Sequence, residues 1–421
     1  MRCILGIDTS NYTTSAALVD ADGGILADNR SLLAVKTGER GLRQSEAFFQ
    51  HVECLPSLTE SILERYRDDI CAVAVSDRPR PIEASYMPVF TAGVRFAQMA
   101  AQALGKPLFR FSHQEGHIRA GGYGTDPGTG SKFLAWHMSG GTSELLLVKD
   151  GGRGAAPEGG RVEERGRDRG LPRDAEAADG ERRSHSCLDI EIVGGSLDIS
   201  FGQLIDRIGV AIGYGFPAGA RMDMAALAAE DRMAADGSPA PGQDGGAEFR
   251  AGKRGGSFAP GMLSPISIKG LYCNMSGIET QALRHISSYK DNSGGRSADG
   301  GANEYGGRPV DDSVDNGVNE YSGRSADGGA NKFGGLILEV FSRVTAALKL
   351  ISDRAAGEYD VDSVLFTGGV AASAYLRRNL LLENARTIFG DAKLSGDNAV
   401  GIALLGAESL NGRMIYGNQA D

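Results

Sequence analysis

Arg2-Cys-Ile-Leu-Gly-Ile-Asp8, the polar tip Thr9-Ser10-Asn11 and the renewed apolar run Ser15-Ala-Ala-Leu-Val-Asp20, closed by Asp22-Gly23-Gly24, together predict a β-hairpin. A third strand follows from Gly24 to Leu33. The hairpin tip from Asp8 to Thr14 combines one carboxylate, several hydroxyls and nearby backbone donors, a set that can wrap phosphates and magnesium or serve as a plain polar turn. Downstream, Leu42–Tyr66 places Phe48, Val52, Leu55, Leu58 and Ile62 at helical spacing, with Pro56 marking a kink or a boundary. Ile70–Val75 reads as a buried strand, Pro88–Leu104 as a helix, and Pro107–Phe111 as a strand leading into a helix at His113. His113 and His117 stand four apart, so on that helix both imidazoles leave one face and can hold one metal ion.

The order of elements then restarts. Phe133–Met138, the turn Ser139-Gly-Gly-Thr142, Glu144–Val148 and Asp150-Gly-Gly152 repeat strand, phosphate-sized turn, strand and hairpin, which predicts a second lobe. Glu191-Ile-Val-Gly continues its sheet, Gly202–Gly215 forms a helix with Leu204, Ile208 and Ile212 inward, and Pro217-Ala-Gly219 ends it. A long helix from Gly335 to Ala355, a strand Val364–Phe366 followed by Thr367-Gly-Gly-Val370, a helix Tyr375–Glu383 and an apolar helix Ala399–Leu410 complete the chain. Trp136, the single tryptophan, reads as core, and so does His137 inside its strand. Three strands, helix, strand, helix, strand, helix is the ribonuclease-H-like order of each lobe of the actin-like ATPases. The expected fold is therefore α/β and actin-like (ASKHA): an N-terminal lobe over 1–125 and a C-terminal lobe over 126–421 around a nucleotide cleft.

With 61 glycines in 421 residues, glycine is about twice ordinary usage, so part of the chain is expected outside the packed core. Three charged or glycine-rich stretches, about 151–186, 236–262 and 291–335, bury too little apolar area to offset their ordering entropy and are expected as low-complexity insertions. The last carries Gly-Arg-Ser-Ala-Asp-Gly-Gly-Ala-Asn at Gly295 and again at Gly323, a duplicated linker without the apolar face that a solenoid needs. A net charge of −10 supplies no global basic field for nucleic acid, so an RNA contact must come from a local patch or a partner. Five cysteines without CxxC spacing, no signal peptide and no apolar run of about 18 residues point to a cytoplasmic chain with no membrane partner.

Gly6-Ile-Asp-Thr-Ser10, His113-Gln-Glu-Gly-His117, Ser139-Gly-Gly141, Asp206 with Phe216-Pro-Ala-Gly219, Thr367-Gly-Gly-Val370 and Asp397-Asn398 occur in the order seen in one family. The chain resembles the threonylcarbamoyladenosine synthases, the TsaD/Gcp family once described as glycoproteases, up to about Gly406. The resemblance implies transfer of a threonylcarbamoyl group from its adenylate to the adenosine following the anticodon in tRNA. It implies one divalent metal, iron or zinc, on His113, His117 and Asp397, with ATP or threonylcarbamoyl-adenylate as ligand, accompanied by magnesium. His137, Met138, Ser139, Gly140 and Gly141 would form the phosphate-side loop, Asp206 and Gly219 would meet the nucleoside, and Gly368, Gly369 and Ser373 would close the site. Asp8, Thr9 and Ser10 fall in the catalytic first motif. An adenylate-forming enzyme and a smaller actin-like paralogue are the protein partners that the resemblance implies.

The departures are specific. Tyr12 and Thr13 replace the acidic pair of the first motif, Asp77-Arg-Pro-Arg80 replaces an Ala-Gly-Pro-Gly turn, Ser373 replaces an asparagine, and Asp397-Asn-Ala399 replaces Asp-Asn-Gly. They describe a divergent member or paralogue. A nucleotide-binding regulatory or scaffold protein is the alternative function. A metallopeptidase is the third, but a zincin needs His-Glu-x-x-His, and Gln114 stands in the glutamate's place.

Overall fold

The computed structural model describes residues 1–10, 12–35, 42–82, 85–127, 132–150, 188–236, 261–293 and 327–411. Its first sheet is built from β1 (Cys3–Asp8), β2 (Thr13–Asp20), β3 (Ile25–Leu32), β4 (Ile70–Arg78) and β5 (Leu108–Ser112), with α1 (Gln44–Tyr66) and α2 (Phe90–Leu104) in the connections. The strand order is β3-β2-β1-β4-β5. The hairpin is antiparallel, pairing Cys3 with Asp20 and Asp8 with Ser15, whereas β4 lies parallel to β1 and β5 parallel to β4. β1 is buried along its whole length, as a central strand covered on both faces must be.

After α3 (His113–Gly121) the same order recurs in β6 (Lys132–Met138), β7 (Ser143–Asp150), β8 (Leu188–Ser196), β11 (Ser363–Thr367) and β12 (Arg386–Phe389). Here the order is β12-β11-β6-β7-β8, extended past β8 by β10 (Tyr272–Asn274) and β9 (Ser267–Lys269). β6, β7 and β8 run antiparallel, and β11 and β12 add in parallel on the other side of β6. Two sheets with one strand order make the α/β fold actin-like. The remaining helices are α4 (Phe201–Ala211), α5 (Gly219–Ala235), α6 (Ser276–Ser293), α7 (Asp327–Tyr359), α8 (Ala374–Asn379), α9 (Ala392–Ser395) and α10 (Val400–Asn411).

The described chain divides into two compact units, one of Met1–Gly202, Ile268–Cys273 and Thr345 onward, the other of Gln203–Ser267 and Asn274–Val344. In the first, the last helix returns to the first sheet, and Ile4, Ala74, Phe111, Ile118, Ile402 and Leu405 share one core with Phe133, Ala135, Leu146 and Leu365 of the second sheet. Gly6 permits that return, because a Cβ there would lie 2.6 Å from the Ala399 carbonyl oxygen. In the second unit, Glu339 of α7 accepts from the backbone N–H groups of Gly261, Met262 and Leu263.

Several expectations are corrected. In α1 the buried stripe is Ala47, His51, Leu55, Thr59 and Ile62, while Phe48 and Val52 are exposed, and the helix runs through Pro56. His51 faces inward because its Nδ1 lies 2.8 Å from Thr14 Oγ1, a polar pairing that apolar spacing does not show. Gly219, expected past a helix end, opens α5. α7 begins at Asp327 rather than Gly335, and Phe333 is buried with its ring 5.2 Å from that of Tyr289, so the end of the third insertion belongs to a helix. The other helix expected over Tyr375–Glu383 is shorter, Ala374–Asn379. Most of the three insertions lies outside the described residues, as does Cys187; Cys3, Cys54, Cys71 and Cys273 are free. Trp136 is core, with its indole N–H donating to Ser352 Oγ at 2.8 Å. No helix among the described residues is long and apolar enough to cross a membrane.

Candidate metal centre

The site lies in the first unit, at the carboxyl ends of β1, β4, β5, β6 and β11, where open α/β sheets commonly bind ligands. His113 is the first residue of α3 because Ser112 caps it: the Ser112 hydroxyl accepts from the Glu115 N–H at 3.2 Å, and Glu115 Oε2 accepts from the Ser112 N–H at 2.6 Å. This capping box fixes the first helical turn and with it both histidines. Asp397 arrives from the opposite end of the chain. Asn398 caps α10 by accepting from the Val400 N–H at 3.0 Å, and Gly116 and Gly401 let α3 and α10 touch backbone to backbone. A buried ion pair between Arg119 of α3 and Glu408 of α10, 3.1 Å apart, ties the same two helices farther along.

The result is convergent. His113 Nε2 and His117 Nε2 are 2.9 Å apart, and Asp397 Oδ1 lies 3.5 Å from the first and 3.3 Å from the second. Ligands about 2.1 Å from a tetrahedral metal are themselves separated by roughly 3.4 Å, so these three atoms could serve as corners of one coordination sphere. Two imidazoles and a carboxylate suit iron or zinc. Behind the triad, Asp8 Oδ1 lies 3.1 Å from His113 Nδ1, the carboxylate–histidine arrangement that orients a metal-binding ring. Ser10 in turn donates to Asp8 Oδ2 at 2.6 Å.

The electrostatics follow from burial and these contacts. Burial alone would lower the His113 pKa, but Asp8 and Asp397 outweigh it and raise it to about 10. Burial, and then His113, lower that of His117. Burial would raise the carboxyls of Asp397 and Asp8, yet the hydrogen bonds and charge of the imidazoles hold both below the ordinary carboxylate range. Without metal, then, the cluster holds one imidazolium between two carboxylates.

The two glycine turns come together at the same strand ends. Thr367 Oγ1 donates to the His117 carbonyl at 2.8 Å, and Gly368, at φ 90°, lies so close to the Met138 backbone that a Cβ there would clash. Gly368 is thus required by the fold itself. Gly140, Gly141 and Gly369 have exposed positions with open space where a Cβ would stand. Ser139 shapes its turn, its Oγ accepting from the N–H groups of Gly141 at 3.3 Å and Thr142 at 3.1 Å. Met138 is buried, and Ser373 caps α8 by accepting from the Leu376 N–H at 3.1 Å.

Other expected residues stand elsewhere. Thr9 is buried and accepts from the Gly93 N–H at 3.2 Å, which joins the end of β1 to α2. Asp206 and Gly219 belong to the second unit, where Asp206 accepts from the Ala218 N–H at 2.7 Å and steadies the start of α5. Sequence reasoning missed Arg80, which pairs with Glu144 at 2.5 Å; the Asp77-Arg-Pro-Arg80 departure was its only signal.

Comparison with known proteins follows the same line. The tRNA N6-adenosine threonylcarbamoyltransferase of Dictyoglomus turgidum is 29% identical over 224 residues, 52% of this chain and 54% of that protein. The protein of that name from Chlamydia felis is 24% identical over 411 residues, 96% of this chain and 90% of its own. The chain is similar to this family, as a divergent, TsaD-like sequence. Its match thus spans about half the length of the Dictyoglomus relative and most of the Chlamydia one. No family model matches it. Among solved structures, component A of the (R)-2-hydroxyglutaryl-CoA dehydratase from Acidaminococcus fermentans aligns over 98% of this chain and 100% of that one, at 11% identity and a TM-score of 0.42.

Proposed function

We propose that this chain transfers a threonylcarbamoyl group from its adenylate to the adenosine following the anticodon in tRNA, at a site where His113, His117 and Asp397 hold one iron or zinc ion. The observation that carries the reading is the convergence of these three side chains within 3.5 Å, with Asp8 behind His113. The relatives' name supports the reaction class. A metal there would supply Lewis acidity toward a substrate oxygen. The protein's own part is positioning: Asp8 orients His113, and the turns at Ser139-Gly-Gly141 and Thr367-Gly-Gly369 offer exposed glycines to the phosphates of ATP or the adenylate. The adenylate-forming enzyme and the smaller actin-like paralogue are the partners that this reading requires.

A second reading, a nucleotide-binding scaffold that has lost transfer, is favoured by Tyr12 and Thr13 and by the burial of Asp8, Thr9 and Ser10, whose side-chain contacts lie within the protein. Against the peptidase reading stands Glu115 as well, which is buried in the helix cap. The deciding experiment supplies purified protein with tRNA, threonine, bicarbonate, ATP and the adenylate-forming enzyme, then measures the modified nucleoside by mass spectrometry. Modified tRNA supports transfer. Nucleotide binding with unmodified tRNA supports the scaffold.

A further inference from the structure

We propose that His137 presents its Nε2–H to a carbonyl or carboxylate oxygen of the molecule bound beside the metal triad, and that Arg80, Glu144 and Gln114 are positioning residues that fix this tautomer. The register of β6 and β7 sets His137 directly opposite Glu144, so both side chains leave the same face of the sheet. Arg80 donates to both carboxylate oxygens of Glu144, at 2.5 and 3.3 Å, so Glu144 stands in this network as an acceptor. The Gln114 atom 2.7 Å from Glu144 Oε2 must then be the amide nitrogen. That same nitrogen lies 3.4 Å from His137 Nδ1, which has to accept. A neutral imidazole whose Nδ1 accepts carries its proton on Nε2.

This Nε2–H is buried, on a residue only 4% exposed, and has no hydrogen-bond partner among the described residues. A buried donor left unpaired is costly, and an acceptor atom on a ligand removes the cost. Its location fits that role, because the His137 ring packs on His117 with centroids 4.7 Å apart. While Nε2 keeps this proton it has no lone pair for a metal, so the donor role and metal ligation exclude each other. The identity of the ligand rests on the function proposed above; the tautomer does not.

The test has two arms on zinc-loaded protein. Nitrogen-15 NMR of histidine-labelled protein, with the His137 signals assigned by their loss in His137→Gln, should show His137 protonated at Nε2. In Glu144→Gln, where the new amide can donate to Gln114 and turn it, the proton should move to Nδ1. Calorimetry with threonylcarbamoyl-adenylate should show His137→Phe weakened by about tenfold to a hundredfold, and His137→Gln, which restores a donor, close to wild type. Zinc content should be unchanged in both. An Nδ1–H tautomer in the wild type, a tautomer indifferent to Glu144→Gln, equal affinity in His137→Phe, or loss of zinc from that variant would each overturn the proposal. Wild-type protein that ignores the adenylate while His137 keeps its Nε2 proton would sink the functional reading and leave the donor assignment standing.

Discussion

Raising the pH from 6 to 9 should tighten metal binding about a thousandfold, with a slope of one decade per pH unit. The magnitude comes from the protonation of the three ligands before metal arrives. His113, raised to about 10 by Asp8 and Asp397, holds a proton across this whole range and must release it to bind. His117 and Asp397 are both shifted downward and arrive deprotonated, so one proton is displaced and not two. One competing proton over three pH units amounts to about 4 kcal/mol. Cobalt(II) titration followed by its visible absorption would measure the slope directly. In Asp8→Asn the His113 pKa falls, so the slope should flatten within the same window even though the ring is less well oriented. A pH-independent affinity in the wild type would refute the reasoning, since it would mean that His113 is unprotonated without metal or does not bind it.

Glu115→Ala should cost about 1–3 kcal/mol of stability by removing a buried cap, read as a lowered melting temperature, while leaving one metal per chain. Gly368→Ala should destabilise the protein, because φ is 90° and the Met138 backbone occupies the space, whereas Gly369→Ala should melt like wild type and bind ATP less tightly by calorimetry. Glu408→Ala, which removes one partner of the buried Arg119–Glu408 ion pair, should cost about 3–5 kcal/mol by chemical denaturation.

The fold was legible where periodicity carries it. The first hairpin, the buried strands and the restart at Phe133 follow from alternating or continuous apolar runs, whereas the order of strands within each sheet came from the structure. The histidine pair was legible because spacing of four is a local property of a helix. What was missed is non-local or polar. Nothing in the local spacing around Asp8 points to a histidine more than a hundred residues away, and the inward turn of His51 depends on Thr14. The capping box was readable from Ser112-x-x-Glu115, and reading it would have shown at once why Glu115 is unavailable as a base. α5 escaped notice because Pro217 and Gly219 look like a terminus, while the carboxylate that holds its first turn, Asp206, lies in the preceding helix.

Charge balance gives a reason for the cluster to prefer a divalent ion. Asp8 and Asp397 contribute two negative charges in the interior, and the single imidazolium on His113 leaves the metal-free cluster one charge short of neutral. Replacing that proton by a divalent cation brings the sum to zero. A monovalent ion would leave the deficit in place, and a trivalent one would bury an excess positive charge. Uncompensated charge in a low-dielectric interior is expensive, so on the proposed reading Asp8 would act twice: it would orient His113, and it would set the charge that the site accepts. Glu144 stands outside this sum because Arg80 neutralises it. Replacing Asp8 by asparagine should therefore do more than loosen a ring. It should shift the preference toward ions of lower charge, an effect measurable as the ratio of copper(I) to zinc affinity in the variant against the wild type.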